Sequence, residues 1–397
     1  MRATLAILAL LLPLAVGHRA VAAPPAGPHL DRRLVASRCA ACHAGHGRAK
    51  SRMLRDAVQD LCFRCHGASA AREKARKAGT LTQLARPADI ERDFQKPYRH
   101  PIERSDLHRA DERLPERSGK VLRHAACADC HEPHVPPPRQ GESLLGLRPR
   151  QAPIRGVTTE AELCFRCHGA VGNRAARSSD LGRRFAATAR SVHAVLAPAF
   201  PGPMPSLIRP WTSSSILSCG QCHGSDDPGG PRGPHGSRIP HLLRYRFETA
   251  DGTPEGEAQY ALCYRCHSRK SILGNESFRY HNRHLVTASR GRAPATCRAC
   301  HSPHGSAVNP RLIDFDTTVV LPDRFGRIAY LPVGAPAGHC RLSCHGVEHP
   351  RASALRDWGE VVSPRLPVAP GVPPPAGPMV GPKTPIPGSS LQRPHGR

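Results

Sequence analysis

The chain begins with one long apolar run, Ala3 to Val16, and no second apolar stretch of that length follows it. Arg2 precedes the run, and the small residues Ala20-Val21-Ala22 follow it. A positive start, an apolar run and an Ala-x-Ala site are typical of a secretory signal peptide. A transmembrane anchor is the weaker alternative, because a helix needs roughly 20 residues to span a bilayer and Pro13 interrupts this run. We therefore predict a signal peptide at residues 1–22 and an exported protein, periplasmic or extracellular.

The rest of the chain is polar and lacks the periods of extended architectures. It has no glycine period and no heptad run, which excludes collagen and coiled coils, and its single apolar run excludes a polytopic membrane protein. Residues 71–95 predict a charged, helix-prone linker, and residues 135–160 predict a loop rich in Pro and Arg. Residues 348–397 have the composition of a disordered, Pro-rich tail. We interpret the tail as an unstructured end, with an attachment or interaction segment as the alternative.

The composition offers little material for ordinary cores. A chain of 397 residues should form two or three domains, each with its own apolar core. Aromatic residues supply much of the buried area in such cores, yet they make up only 4% of this chain. The chain is therefore either disordered or folded around a group that is not an amino acid. Its 16 cysteines and 24 histidines favour the second interpretation.

All the cysteines belong to one pattern, a pair of cysteines followed at once by a histidine. Seven pairs have the spacing C-x-x-C-H, and the eighth, CRLSCH, is one residue wider. The pairs are Cys39 and Cys42, Cys62 and Cys65, Cys127 and Cys130, Cys164 and Cys167, Cys219 and Cys222, Cys263 and Cys266, Cys297 and Cys300, and Cys340 and Cys344.

This spacing is the attachment sequence of c-type haem. Two thiols one helical turn apart can add to the two vinyl groups on one side of a porphyrin, and the next residue then lies beneath the ring, where it binds iron. We expect the wider eighth pair to do the same through a slightly looped-out turn. The sequence thus predicts eight covalently attached haem c groups, with proximal ligands His43, His66, His131, His168, His223, His267, His301 and His345.

Three other uses of paired cysteines explain the pattern less well. Structural zinc is bound by Cys-x-x-Cys pairs, but it gives no reason for a histidine after every second cysteine. A disulfide scaffold fails on the same ground. Thioredoxin-like redox pairs need a βαβ context, which this sequence does not contain.

The motifs recur in four units, each of the form His…C-x-x-C-H…His…C-x(2,3)-C-H. The units cover residues 23–70, 96–172, 190–270 and 278–347, and each predicts one haem pair. Each unit supplies two further histidines, one for each iron, as candidate distal ligands. Solvent-exposed histidines on polar loops are the alternative, and His281 could replace His284. The candidates are His29, His100, His193 and His284 before the first motif, and His46, His134, His235 and His304 after it.

This arrangement resembles the doubled C-x-x-C-H family of multihaem c-type cytochromes, which are exported bacterial electron carriers with bis-histidine haems. The similarity covers His29 to Gly346 and depends on the eight motifs, CHEPH, CHSPHGS and the PHGS at His235. The chain departs from the family in the wider Cys340 pair, the displaced His235 and a CHAGH without proline. The resemblance implies a mostly irregular fold with short α-helices and little β-sheet, built around stacked haems.

The charge balance fits such a protein. Lys and Arg number 57 against 31 Asp and Glu. Much of this excess can neutralise haem propionates, with Arg as the bidentate partner. The remaining positive surface predicts acidic redox partner proteins or an anionic envelope surface as partners. Nucleic acid is not an expected partner, because a signal peptide is present and no nucleic-acid-binding motif is found.

Two functions follow from these predictions. The first is an electron-transfer carrier with closely spaced bis-histidine haems, which could also assemble into an outer-membrane conduit or a filament. The second is a multihaem oxidoreductase of the nitrite, hydroxylamine or tetrathionate reductase kind, which needs one iron with an open position. A C-x-x-C-K motif typical of nitrite reductases is absent. If one haem is open, the one at His345 is the candidate, because its attachment is unusual and His339 and His349 lie close in sequence.

Overall fold

The computed structural model describes residues 27–45, 53–102, 125–135, 144–147, 153–169, 181–198, 202–286, 293–332 and 338–349. They all belong to one compact unit, Met1–Pro350. The predicted signal peptide, the candidate ligand His46 and almost all of the predicted tail lie outside the described residues.

Helices in the described part are short, and the longest have nine residues. None of them is long and apolar enough to cross a membrane. Three short 3-10 turns accompany them at Arg38–Ala41, Cys219–Gln221 and Pro240–Leu242. The α-helices are α1 Val58–His66, α2 Ser69–Lys77, α3 Glu91–Phe94, α4 Cys127–Cys130, α5 Glu160–His168, α6 Leu181–Arg184, α7 Ala261–Tyr264, α8 Arg269–Leu273, α9 His281–Leu285 and α10 Cys297–Cys300.

Strands are also short and form small antiparallel sheets, β1 with β5, β2 with β3, β4 with β6, and a three-stranded sheet in the order β7-β8-β9. The predicted fold class, mostly irregular with short helices and little sheet, is confirmed. The segment predicted as a Pro- and Arg-rich loop contains one of the hairpins. The strands are β1 Tyr98–Arg99, β2 Leu145–Leu147, β3 Pro153–Arg155, β4 Ser191–Val192, β5 Gly236–Ser237, β6 Gly305–Ser306, β7 Ala329–Pro332, β8 Gly338–Cys344 and β9 Val347–His349.

Apolar packing among the described residues is concentrated in two small clusters. One joins Phe165 of α5 to Phe185, and the motif residue Cys219 packs against it. The other joins Val35 to residues of the predicted charged linker, among them Leu81, and Cys65 packs against it. Both clusters lie beside attachment cysteines, as expected for a chain whose own side chains supply little core.

Two of the two-stranded sheets connect one repeat unit to the next. In the first, Arg99 of the second unit pairs with Gly236 of the third, and in the other Val192 of the third pairs with Gly305 of the fourth. A Cβ on Gly236 would lie 1.8 Å from the Asp93 carbonyl oxygen, so no other residue fits there. The glycine of the repeated PHGS sequence therefore permits close approach of two backbones.

Ion pairs support both of these junctions. In the first, Lys96 is almost fully buried and lies 2.6 Å from Asp93 and 2.8 Å from Asp226. In the second, Arg184 lies 2.5 Å from Asp314. A charge buried as fully as that of Lys96 needs partners, because an unpaired buried charge is strongly destabilising.

Candidate haem sites

The cysteines of the seven standard motifs lie on single helical turns or at the ends of short helices. Helices α4 and α10 consist of the four motif residues from one cysteine to the other, whereas α1 and α5 end at the motif histidine. Thr296 caps α10 by accepting a hydrogen bond from the Ala299 amide, and Thr159 caps α5 in the same way. Caps of this kind stabilise helices that are too short to form by propensity alone.

Six of the motif histidines face a second histidine that is outside the motifs. The distances between ring centres lie between 6.0 and 6.4 Å. The pairs are His43 with His134, His66 with His29, His131 with His235, His168 with His100, His223 with His304, and His301 with His281.

These distances fit two imidazoles on opposite sides of one iron. Imidazole nitrogens bind metal ions at about 2.0 Å, and a ring centre lies roughly 1.1 Å behind its nitrogen, so such rings have centres about 6.2 Å apart. Two rings in direct stacking contact would lie closer. The spacing leaves room for a haem between each pair.

The pairing follows two rules in the first three units. A first-motif histidine faces the histidine that follows the first motif of the next unit, as His131 faces His235. A second-motif histidine faces the upstream histidine of its own unit, as His168 faces His100. His267 fits the second rule, because after burial His193 of its own unit lowers the pKa of His267 the most.

Hydrogen bonds at Nδ1 orient many of these rings. His100 Nδ1 lies 2.6 Å from the Pro234 carbonyl oxygen, and His193 Nδ1 contacts that of Pro303. The proline that precedes each histidine in PHGS thus orients the upstream ligand of the preceding unit. Because Nδ1 is occupied, Nε2 is the nitrogen that can bind iron. The same holds for His134, His223, His267, His284 and His301, which are bonded through Nδ1 to other groups.

Burial keeps many of these rings neutral, the form that binds a metal ion. Burial is the main cause that lowers the pKa of His235, His267, His281 and His304 to about 4. It also lowers the pKa of His66, His131, His193, His223 and His301.

Phenylalanines that our sequence reasoning missed support the candidate distal ligands. Phe94 lies 5.4 Å from His235 and Phe185 lies 5.8 Å from His304, measured between ring centres. Phe278 lies 5.4 Å from His281. Each precedes the upstream histidine of its unit by six to eight residues, and this recurrence was the signal that could have revealed them.

In every pair of consecutive motifs, a cysteine of one motif lies near a cysteine of the next. Each motif interacts electrostatically through a cysteine with the motif that follows it in sequence. Glu160 also has a carboxylate oxygen within 4.8 Å of the Cys164 and Cys219 sulfurs, which belong to adjacent motifs. The neighbouring pairs are Cys42 and Cys65, Cys62 and Cys127, Cys130 and Cys167, Cys164 and Cys219, Cys222 and Cys266, Cys263 and Cys297, and Cys300 and Cys340.

The eighth motif is built differently. Cys340 and Cys344 lie in strand β8 rather than on the looped-out turn expected from the sequence. His345 follows at φ +48°, and its Nε2 lies 2.7 Å from Asp251 Oδ2. His284 faces His349 instead, with ring centres 6.1 Å apart. The role of His345 as a proximal ligand therefore stays a prediction, as do the roles of the other candidate ligands.

Comparisons with known proteins agree with the motif pattern. Residues 33–71 match the family described as doubled CXXCH motif. Residues 119–310, just under half of the chain, match the family described as outer membrane cytochrome MtrC/MtrF-like, domains II/IV. No curated protein and no solved structure matches the chain. Together with the attachment motifs, these matches confirm the predicted resemblance of the chain to multihaem c-type cytochromes with doubled CXXCH motifs.

Proposed function

We propose that the protein is an exported electron carrier with eight haems, each held by two histidines. The observation that supports this most strongly is the set of six ring pairs, each of which joins a motif histidine to a second histidine at a distance that fits one iron. Surface histidines on polar loops would have no reason to take this arrangement six times.

The chain would hold each haem iron through two histidine nitrogens. Bound haem iron supplies a one-electron change of oxidation state. Burial keeps His193, His223 and His301 neutral, and each of the three is also oriented through Nδ1, so that its Nε2 can bind iron. With both positions filled, no small substrate reaches the iron. This favours a carrier over a nitrite, hydroxylamine or tetrathionate reductase.

The order of the motifs supports a linear path for electrons. Cysteines of consecutive motifs are neighbours from Cys42 and Cys65 at one end to Cys300 and Cys340 at the other. Because each macrocycle would be bonded to these sulfurs, the chain would hold its haems in sequence order. We propose that electrons pass along this order between two different redox partners, one at each end.

The similarity to outer membrane cytochromes supports a place at the cell envelope. We propose that the protein works at or outside the outer membrane as part of an electron conduit, in agreement with the predicted signal peptide. Its excess of 57 Lys and Arg over 31 Asp and Glu would attract acidic partner proteins.

Carbon monoxide binding tests the carrier against the enzyme. The matured protein is reduced and titrated with carbon monoxide while its absorption spectrum is recorded, and intact mass is measured in parallel. We expect no spectral change and a mass increase on the order of 600 Da for each of eight haems. One haem that binds carbon monoxide would contradict the carrier proposal and favour an oxidoreductase.

A further inference from the structure

The eighth motif suggests an unusual pair of iron ligands. We infer that the haem attached at Cys340 or Cys344 is bound by His349 and His284, and that His345 has a structural role in a turn. This inference rests on the proposed attachment of a haem at the eighth motif. It requires a thioether bond between the haem and only one of the two cysteines.

The hairpin places His349 beside the two cysteines. Strand β8 pairs with β9 so that Leu342 lies opposite His349 and Cys344 lies opposite Val347. Alternate residues of a strand share a face, and residues directly opposite each other across the pair share it too. Cys340, Cys344 and His349 therefore lie on one face of the sheet, with His349 beside the middle of the segment between the cysteines.

The extended backbone removes the reason for a ligand at His345. Four residues along a strand span about 13 Å, whereas the thiols of a helical motif lie one turn apart. The residue after the second cysteine is then no longer directed beneath the macrocycle. In this chain His345 and Gly346, at φ +48° and +69°, form the two-residue turn of the hairpin.

The hydrogen bonds of His345 and His284 also differ. His345 contacts Asp251 through its Nε2. In the candidate ligands that are hydrogen-bonded through Nδ1, Nε2 is the nitrogen left to bind iron. His284 instead has Nδ1 2.8 Å from the Tyr280 carbonyl oxygen, as expected for an iron ligand. Its ring centre is 6.1 Å from that of His349, the same distance as in the other candidate pairs.

The repeat supports His284 as the second ligand. In the first two units the upstream histidine faces the second motif of its own unit, as His29 faces His66. His284 occupies the upstream position of the fourth unit and faces His349. The rule of the repeat is thus kept if His349 acts in place of His345. His281, the predicted alternative to His284, faces His301 of the seventh motif.

A ligand replacement tests the inference on the matured full-length protein. Methionine in place of an axial histidine raises the reduction potential of a haem. We expect His349→Met to raise the potential of one haem in a redox titration and to give the ferric spectrum of a methionine-ligated iron. The matched control is His339→Met in the neighbouring strand β8, on the opposite face from the cysteines, and we expect it to leave every potential unchanged.

The outcomes separate this inference from the proposed function. If His349→Met leaves all potentials and spectra unchanged in a protein with eight haems, the inference is wrong and the carrier stands. If the mass of the unmodified protein shows only seven haems and Cys340 and Cys344 react as thiols, attachment at the eighth motif fails and the inference falls with it. Loss of one haem from His349→Met alone, with eight in the control, supports the inference.

Discussion

The interior units and the fourth unit differ in where the histidine that faces the first motif comes from. In the interior, a first-motif histidine faces a histidine of the next unit, as His223 faces His304. The fourth unit is followed by residues 348–397, which contain no further C-x-x-C-H motif, and its His301 faces His281 of the same unit instead. Its second motif lies on a hairpin rather than on a helix. The comparison teaches that a first motif takes its second histidine from the unit that follows it in the interior, and from its own unit in the fourth.

We expect the largest effect from removing His281, the histidine with which the fourth unit faces its own first motif. In His281→Ala the haem at His301 loses one axial nitrogen, although His284 is three residues away. We expect the reduced variant to bind one equivalent of carbon monoxide in an absorption titration. His339→Ala serves as the control and should bind none. If His281→Ala also bound none, His284 would have to serve the seventh haem, and the distinction between interior and end would fail.

An interior junction should lose much of its stability without its buried cation. Lys96→Met leaves Asp93, which is fully buried, without its counter-ion. Breaking a buried pair in this way costs about 3–5 kcal/mol of unfolding free energy. Denaturant unfolding of the haem-loaded protein measures the loss.

The control for this junction is Arg238→Met, because Arg238 is mostly exposed and pairs with the same Asp226. An exposed pair contributes about 1 kcal/mol or less. Equal losses in the two variants would show that burial of Lys96 does not matter for the junction.

The glycines of the two regions should differ in how they tolerate a methyl group. At Gly305, in the junction of the third and fourth units, a Cβ would lie 2.8 Å from the Ser191 carbonyl oxygen. At Gly346, in the terminal hairpin, φ is +69° and nothing lies within 4 Å. We expect Gly305→Ala to cost about 2–3 kcal/mol and Gly346→Ala about 1 kcal/mol, the cost of the left-handed backbone alone. Thermal unfolding of both variants measures the difference, and a reversed order would contradict the close approach at the junction.

The smallest expected effect is the response of the junction to acid. Burial opposes ionisation of Asp226, but hydrogen bonds from Lys96 and from the Arg238 amide outweigh it and lower the pKa of the carboxyl. A lowered pKa stabilises the folded state fully above the unfolded-state value of about 3.9, and the contribution is lost as pH falls from that value through the lower pKa of the folded state. We therefore expect Asp226→Asn to be less stable than the unmodified protein at pH 7. The difference should shrink between about pH 5 and pH 3, and a constant difference would contradict the ion pair.

The sequence was sufficient to predict the motifs, the irregular fold and most of the histidines that face them. It could not predict which histidines face each other, because pairs such as His131 and His235 belong to different units and depend on the path of the chain between them. The terminal hairpin was predictable in part. Apolar Cys340, Leu342 and Cys344 alternate with polar residues, the period of a strand, but we interpreted the segment by analogy with the helical motifs.

Near-infrared magnetic circular dichroism of the fully oxidised protein, combined with a count of haems by mass, tests the central claim most directly. The charge-transfer bands of ferric haem identify the axial ligands and the spin state of each iron. The account predicts eight low-spin irons that all have two nitrogen ligands. A high-spin iron, or one with a ligand other than histidine, would contradict it.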